Sequence, residues 1–181
     1  MQSRPTFSVA PARRAQEPQL SVELAAVVAS ARRRAFRDGD RHIDTAHLLH
    51  GLLEADPEVR DAFDGGPPQV ARLLGYLVQR TIGYGLRWSG TVEDSRAVPV
   101  VRLGDREAGC PGWSPAAASA MDGAWARARG RGAGRAEGLD LLALLARDGE
   151  CRAAEVLRRA GVDPDVLVEA LDGPTCQQST G

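Results

Sequence analysis

The sequence predicts an all-α protein: two tandem four-helix repeats packed as one pseudo-twofold bundle. Three observations point there. Apolar residues recur at helical spacing in one segment after another. Helix-start and helix-stop residues bracket those segments. The most strongly patterned segment, Asp44–Leu53 (DTAHLLHGLL), has a degraded second copy at Glu137–Ala146 (EGLDLLALLA). Its leucines fall at i, i+1, i+4 and i+5, an apolar stripe that must be buried against something.

The bulk numbers leave room for this plan and remove others. At 181 residues and 43% hydrophobic content, the chain suits one compact domain or two small ones. Only 4% is aromatic, so the core must be built mainly from Ala, Leu and Val. A net charge of −1 advertises neither a nucleic-acid nor an acidic-membrane partner. All 23 basic residues are Arg, and there is no Asn, a composition expected of a GC-rich, bacterial genome. Without lysine, neither P-loop nucleotide hydrolysis nor Schiff-base chemistry is available to this chain. Cys110, Cys151 and Cys176 are too few and too scattered for a disulfide framework or a Cys-x-x-Cys metal clip. Their odd number, with no secretory signal ahead of them, sets the expectation of a reducing cytoplasm. No apolar run approaches membrane-spanning length.

In chain order, residues 1–19 are Pro-, Arg- and Gln-rich and read as a disordered leader. Leu20 and Ser21 then give a helix cap with an apolar residue before it. Val22–Arg37 follows, with Leu24, Val27, Val28, Ala31 and Ala35 on one stripe and a glycine stop at Gly39. Asp44–Leu53 is the second helix. Pro57 suits the first turn of a short third helix, Pro57–Phe63. Gly65–Pro68 reads as a turn, and Gln69–Ile82 as the fourth helix, carrying Val70, Leu73, Leu74, Leu77 and Val78. Residues 83–112 break the rhythm. Their one regular piece, Ala97–Leu103, favours extended chain, and Pro99 argues against a central strand. Ser114-Pro115 restarts the helical pattern with a cap and a first-turn proline. Ala116–Arg129, Glu137–Arg147, Glu150–Arg159 and a last helix from Asp163-Pro164 to about Leu171 complete the second unit. Residues 173–181 read as a disordered tail.

Laid side by side, the halves coincide. Ser21 pairs with Ser114, Gly39 with Gly132, Leu48 with Leu141, Leu49 with Leu142 and Leu52 with Leu145, each pair 93 positions apart. Past the third helix the register slips by three, so that Pro68 matches Pro164. Such a tandem duplication is one unit repeated because a single copy cannot bury its own apolar face. The divisions expected are repeat one at 20–82, an insert at 83–112 and repeat two at 113–172.

The same residues resemble the N-terminal domain of Clp unfoldases, ClpC in particular. That domain doubles a unit with an aromatic-Thr helix start, a Gly-His turn, the run Gly-Thr-Glu-His-Leu-Leu-Leu-Gly-Leu-Leu and a Leu-Gly-Val turn. The first copy here shows Leu20-Ser21, Gly39 and His42, then Asp44-Thr45-Ala46-His47-Leu48-Leu49-His50-Gly51-Leu52-Leu53. The second shows Trp113-Ser114-Pro115, Leu141-Leu142, Arg147-Asp148-Gly149-Glu150 and Ala160-Gly161-Val162. The resemblance spans about Leu20–Leu171 and implies a Clp N-domain without the AAA+ motor that follows it in the unfoldases. It implies a non-enzymatic binding module that acts as an adaptor, regulator or ligand decoy of a Clp protease. The implied partners are Clp subunits, client proteins or peptide-like small molecules such as cyclic peptide antibiotics. No cofactor and no membrane are expected.

In ClpC the Glu of Thr-Glu-His, with the polar start of the first helix, forms a phosphoarginine pocket; a carboxylate takes the guanidinium and a helix N-terminus the phosphate. Ala46 and Leu139 stand at the Glu positions here, and Glu23 and Ala116 at the Arg of the helix start. Ser21 and Ser114 keep the hydroxyl, and Asp44 offers a substitute acid. The residues expected to line a ligand surface are therefore the helix starts Leu20, Ser21, Glu23, Trp113 and Ser114, together with Asp44 and, from the insert, Trp88.

Other readings compete. Asp44, His47 and His50 invite a metal, but each three-residue step turns about 300° around the helix, which parts Asp44 from His50. His47 matches a scaffold histidine that bonds neighbouring backbone. Cys151 begins a helix, a place that lowers a thiol pKa, yet it equally suits a small buried residue. Arg127–Arg135 (RARGRGAGR) has the look of a nucleic-acid tract, but falls on the inter-helix loop of an otherwise non-basic domain. A small hydrolase would need a nucleophile beside a base, and no local motif supplies one.

Overall fold

Ser21 opens the first helix as its N-cap: its hydroxyl accepts the Leu24 N–H at 3.0 Å. Helix α1 (Val22–Asp38) buries Leu24, Val27, Ala31 and Ala35, and ends at Gly39. The φ of +73° at Gly39 is left-handed backbone that a side chain would strain, and its N–H returns to the Ala35 and Phe36 carbonyls. The two-residue strand β1 (His42–Ile43) leads into α2 (Thr45–Ala55), then α3 (Pro57–Asp61) and α4 (Gly66–Thr81). The second half repeats the order: β2 (Gly112–Trp113), α5 (Pro115–Gly130), α6 (Gly138–Arg147), α7 (Arg152–Arg159) and α8 (Pro164–Asp172). The computed structural model describes residues 19–81 and 112–173. The expected leader, Trp88, Ala97–Leu103 and most of the insert and tail lie outside the described residues.

The described residues form eight helices and one pair of two-residue strands, an all-α fold in which the two four-helix repeats pack about a pseudo-twofold axis. Ser114 caps α5 as Ser21 caps α1, by accepting the Ala117 N–H at 3.1 Å. Gly132, at φ +75°, repeats Gly39. Leu48, Leu49 and Leu52 of α2 and their mates Leu141, Leu142 and Leu145 of α6 are completely buried. At about 1.5–3 kcal/mol for each such side chain, these six contribute a large share of the core, alongside Leu24, Ile43, Leu73 and Leu157, which are equally buried. Every residue of α2 from Thr45 to Leu53 is buried, so α2 is a central helix, with α6 its counterpart.

The two copies interlock. Leu20, ahead of α1, bridges in parallel to Ala136, ahead of α6, and Ile43, ahead of α2, pairs in parallel with Trp113, ahead of α5. The Ser21 N–H donates to the Ala136 carbonyl and the Ser114 N–H to the Ile43 carbonyl, both at 2.9 Å. These bonds obey the 93-residue offset, so each unit completes the backbone bonding of the other. The central helices do the same with side chains. Helix α2 packs on α7 of the other copy, and α6 on α3. The Thr45 hydroxyl accepts the Ala153 N–H at 3.1 Å. On the opposite side Gly138 lets the Asp56 carboxylate approach so closely that a Cβ there would collide with Oδ2.

Several boundaries differ from the sequence expectation. Helix α4 starts at Gly66, so Pro67 and Pro68 lie inside its first turn rather than in a preceding turn. A first turn has no use for their missing N–H groups, which is why both fit. Helix α3 stops at Asp61 rather than Phe63. Helix α7 starts at Arg152, because Cys151 and not Glu150 is its cap. The strands β1 and β2 were not expected. Two residues each carry no periodicity, and their pairing exists only between the copies.

Candidate functional site

The nominated residues fall into two symmetric settings. Leu20 and Ser21 are half-buried beside Ala136, with Glu23 exposed on the first turn of α1. Trp113 is half-buried and Ser114 buried beside Ile43, one residue before Asp44. The structure thus joins Trp113, Ser114 and Asp44 at one junction and leaves Leu20, Ser21 and Glu23 at the pseudo-twofold mate of that junction. Both serine hydroxyls serve as caps.

Asp44 is only 2% exposed and both of its oxygens are engaged. Oδ1 accepts the His47 N–H at 2.9 Å, and Oδ2 takes the Arg152 guanidinium at 2.6 Å. Arg152 is itself buried, so this is an ion pair inside the inter-repeat seam, between the cap of α2 and the first turn of α7. The Asp44 N–H in turn donates to His47 Nδ1 at 3.2 Å, which completes a capping box, and His47 Nε2 faces Asp40 Oδ2 at 3.2 Å. His47 is therefore scaffold by its bonds. His50 lies one turn on. Its Nε2 is 3.3 Å from Glu54 Oε1, and Glu54 accepts two bonds from Arg34 at 2.8 Å. Burial, then the neighbouring Arg34 charge, push the His50 pKa down to about 4. Among the described residues no group of three His, Cys, Asp or Glu side chains is placed to hold a metal.

The Arg-rich tract is partly spent inside the fold. Arg131 bonds Asp140 at 2.6 Å, and Arg127 reaches Asp140 at 3.3 Å and also binds Asp172 and the Leu171 carbonyl. Arg147 closes the same cluster with a 2.6 Å bond to Asp172. The Arg127 hydrogen bond holds the Asp172 carboxyl below its ordinary pKa. Two of the tract's four arginines thus tie α5 and its following loop to α6 and α8, which weakens any reading of the tract as a phosphate-binding surface.

A cleft of about 270 Å³ opens beside the Trp113–Ser114 junction. Thr45 of α2 forms one wall, and Ala116, Ser119 and Ala120 of α5 another. Leu144, Leu145 and Arg147 of α6, with Asp148 and Cys151 beyond it, complete the lining. None of these residues is among those expected to line a ligand surface, although Ala116 and Thr45 adjoin Ser114 and Asp44. One sequence signal could have found it. Ala117 and Ala120 hold the repeat positions of Leu24 and Val27, so the second copy has smaller side chains where the first is filled. Cys151 is 2% exposed; its sulfur accepts the Ala154 N–H at 3.4 Å, and its thiol bonds the Leu145 carbonyl at 3.2 Å. The first bond caps α7, and the second ties that cap to the last turn of α6.

Comparison of the whole fold with solved structures decides the architecture. The N-terminal domain of the caseinolytic-protease-associated chaperone ClpD from Arabidopsis thaliana matches at TM-score 0.59 and 15% identity, over 84% of this chain and 92% of that one. The Hsp104 N-terminal domain from Candida albicans matches at TM-score 0.58 and 10% identity, over 84% and 89%. The chain has the Clp N-domain fold. A protein studied as part of a malarial protein secretion system shares it, at TM-score 0.58 and 15% identity, over 84% of this chain and 92% of that chain. No family model matches the chain, and no curated protein matches it. At these identities the likeness is one of backbone, and the caps, glycine turns and leucine stripes of the Clp repeat are the residues that maintain it here. No helix among the described residues is long and apolar enough to cross a membrane.

Proposed function

We propose that this chain is a non-catalytic binding module that takes protein segments, peptides or peptide-like small molecules, and that it serves a Clp protease system as adaptor, regulator or decoy. The observation that carries this reading is the Clp N-domain fold itself, shared over most of the chain with the N-terminal domains of ClpD and Hsp104. The chemistry of the described residues supports it. His47 and His50 face carboxylates and backbone, Cys151 is committed to a cap, and Ser21 and Ser114 cap helices. The functional unit we propose is 20–172, with repeat one at 20–82, the insert at 83–112 and repeat two at 113–172, acting in the cytoplasm. Phosphoarginine is not the ligand proposed. Ala46 is buried where the resemblance implies a carboxylate, and Leu139 is its mate.

The test uses the purified chain with the Clp unfoldase and peptidase of the same organism and fluorescein-labelled casein as client. The expected result is direct binding of casein by the chain and a changed rate of casein degradation when it is added. No binding of casein or of the unfoldase, with degradation unaltered, overturns the reading.

A further inference from the structure

Helix α1 is apolar on two opposite faces, and the fold uses one of them. Leu24, Val27, Ala31 and Ala35 mark the buried face, which packs on α2 and β1. At about 100° of turn per residue, Val22, Ala25, Ala26, Ala29, Arg33 and Phe36 gather on the opposite side, within an arc of about 100°. All six are exposed, Val22 at 75% and Phe36 at 69%. The outward face of a surface helix is ordinarily its charged and polar one. Here Arg33 carries the only charge in the stripe.

The second copy gives the comparison. At the mate positions, 93 residues on, α5 carries Pro115, Ala118, Ser119, Asp122, Ala126 and Arg129. Asp122 and Arg129 stand where α1 has Ala29 and Phe36. One place in the repeat is therefore charged on α5 and apolar on α1, so the repeat itself does not require the stripe.

We infer that the outward face of α1 pairs with the same face of a second copy of this chain, the two helices running antiparallel about Ala29. Ala29 is small, so the helix axes can approach to about 8 Å. Val22 and Phe36 each lie seven residues, about 10 Å, from Ala29. In an antiparallel pair the valine of each copy stands opposite the phenylalanine of the other, and both exposed side chains are covered. The charges select the partner and its direction. Glu23 and Arg37 lie on one flank of the stripe, and Arg33 leans towards that flank. A twofold axis between the helices brings like flanks together. The level of Glu23 in one copy then falls between those of Arg33 and Arg37 in the other, about 3 Å along the axis from each. Among the described residues Glu23 and Arg33 have no ion pair within their own chain, and Arg37 bonds its neighbour Asp38 at 3.2 Å. A parallel pair would instead set Glu23 against Glu23 and Arg33 against Arg33, which like charges oppose. One helix pair about 25 Å long is a small interface, so the association is weak and depends on concentration.

The experiment is sedimentation velocity of the full chain from low micromolar to near-millimolar concentration. The expected result is a mass that rises from one chain towards two. Ala29→Glu, at an exposed position in the middle of the stripe, sets two carboxylates face to face. It should weaken the dimer about tenfold or more and leave the urea midpoint of the dilute monomer unchanged. Glu23→Arg, and separately Arg33→Glu/Arg37→Glu, should each weaken the dimer several-fold. The three changes together should restore it, because the contact re-forms with its signs exchanged. A chain that stays monomeric at the highest concentration overturns the proposal and leaves the stripe to a helix of another protein. A dimer that Ala29→Glu does not weaken lies on another surface and overturns it as well. A triple variant no better than Glu23→Arg overturns the antiparallel pairing.

Discussion

Asp44 and Arg152 meet in the buried seam between the copies, 108 residues apart in sequence. A buried pair adds little net stability over an apolar substitute, but removing one partner strands the other charge away from water. Asp44→Ala should therefore cost about 3–5 kcal/mol, part of it from the lost cap on α2, as read from the urea midpoint. The double variant Asp44→Ala/Arg152→Met should recover a substantial share of that loss. If the double variant is as unstable as the sum of the singles, the pair is not coupled.

His50 gives the fold a pH dependence of known sign. Its folded pKa of about 4 lies below the ordinary 6.5, so the unfolded chain binds the extra proton first. The stability tied to neutral His50 is fully present above pH 6.5 and is lost as pH falls towards 4, by up to roughly 3 kcal/mol. His50→Gln should flatten the slope of unfolding free energy against pH in that window. An unchanged slope in the variant would assign the acid sensitivity to other groups. Histidine burial of this kind was not legible in the sequence, because an amphipathic pattern says which face is apolar and not that α2 is buried on every face.

At the scale of the element, the helices were legible because their signals are local. Each serine cap needs only its own side chain and an N–H three residues on, and each glycine stop needs only its own φ. Ser21→Ala and Ser114→Ala should each lower stability by about 1 kcal/mol, and the two losses should add, since the caps sit at symmetry-related sites in separate junctions. Denaturant midpoints of the singles and the double measure this. Losses that fail to add would mean that the junctions communicate. Where a signal admits two readings, the sequence misleads: Gly65–Pro68 suits a turn as well as a proline-rich first turn, and only the packing of α4 chooses. The cleft left only a faint trace in the sequence, the small residues Ala117 and Ala120 at the repeat positions of Leu24 and Val27, for a related reason. Its lining comes from three helices and the loop beyond α6, and the alanines that open it read as ordinary helix formers.

For the molecule as a whole, interlocking sets the cooperativity. Each copy lends the other a strand partner, and each central helix packs on the third helix of the other copy. Neither half can keep its backbone bonds or its core alone, so unfolding should be a single transition. Far-ultraviolet circular dichroism, which reports all the helices, and fluorescence of the tryptophans, of which Trp113 and Trp125 lie in the second copy, should give one midpoint. Two separated midpoints would show that the copies are independent units.

The sequence by itself determined that this chain is helical, doubled and built on leucine stripes with capped ends. Those properties arise from contacts within a few residues and from a periodicity repeated 93 positions on. The tertiary structure alone decided how the copies join and what each junction contains. Strand pairs two residues long, the Asp44–Arg152 pair and a cleft walled by three helices all depend on distances between segments far apart in the chain. A pattern of residue types carries no measure of those distances.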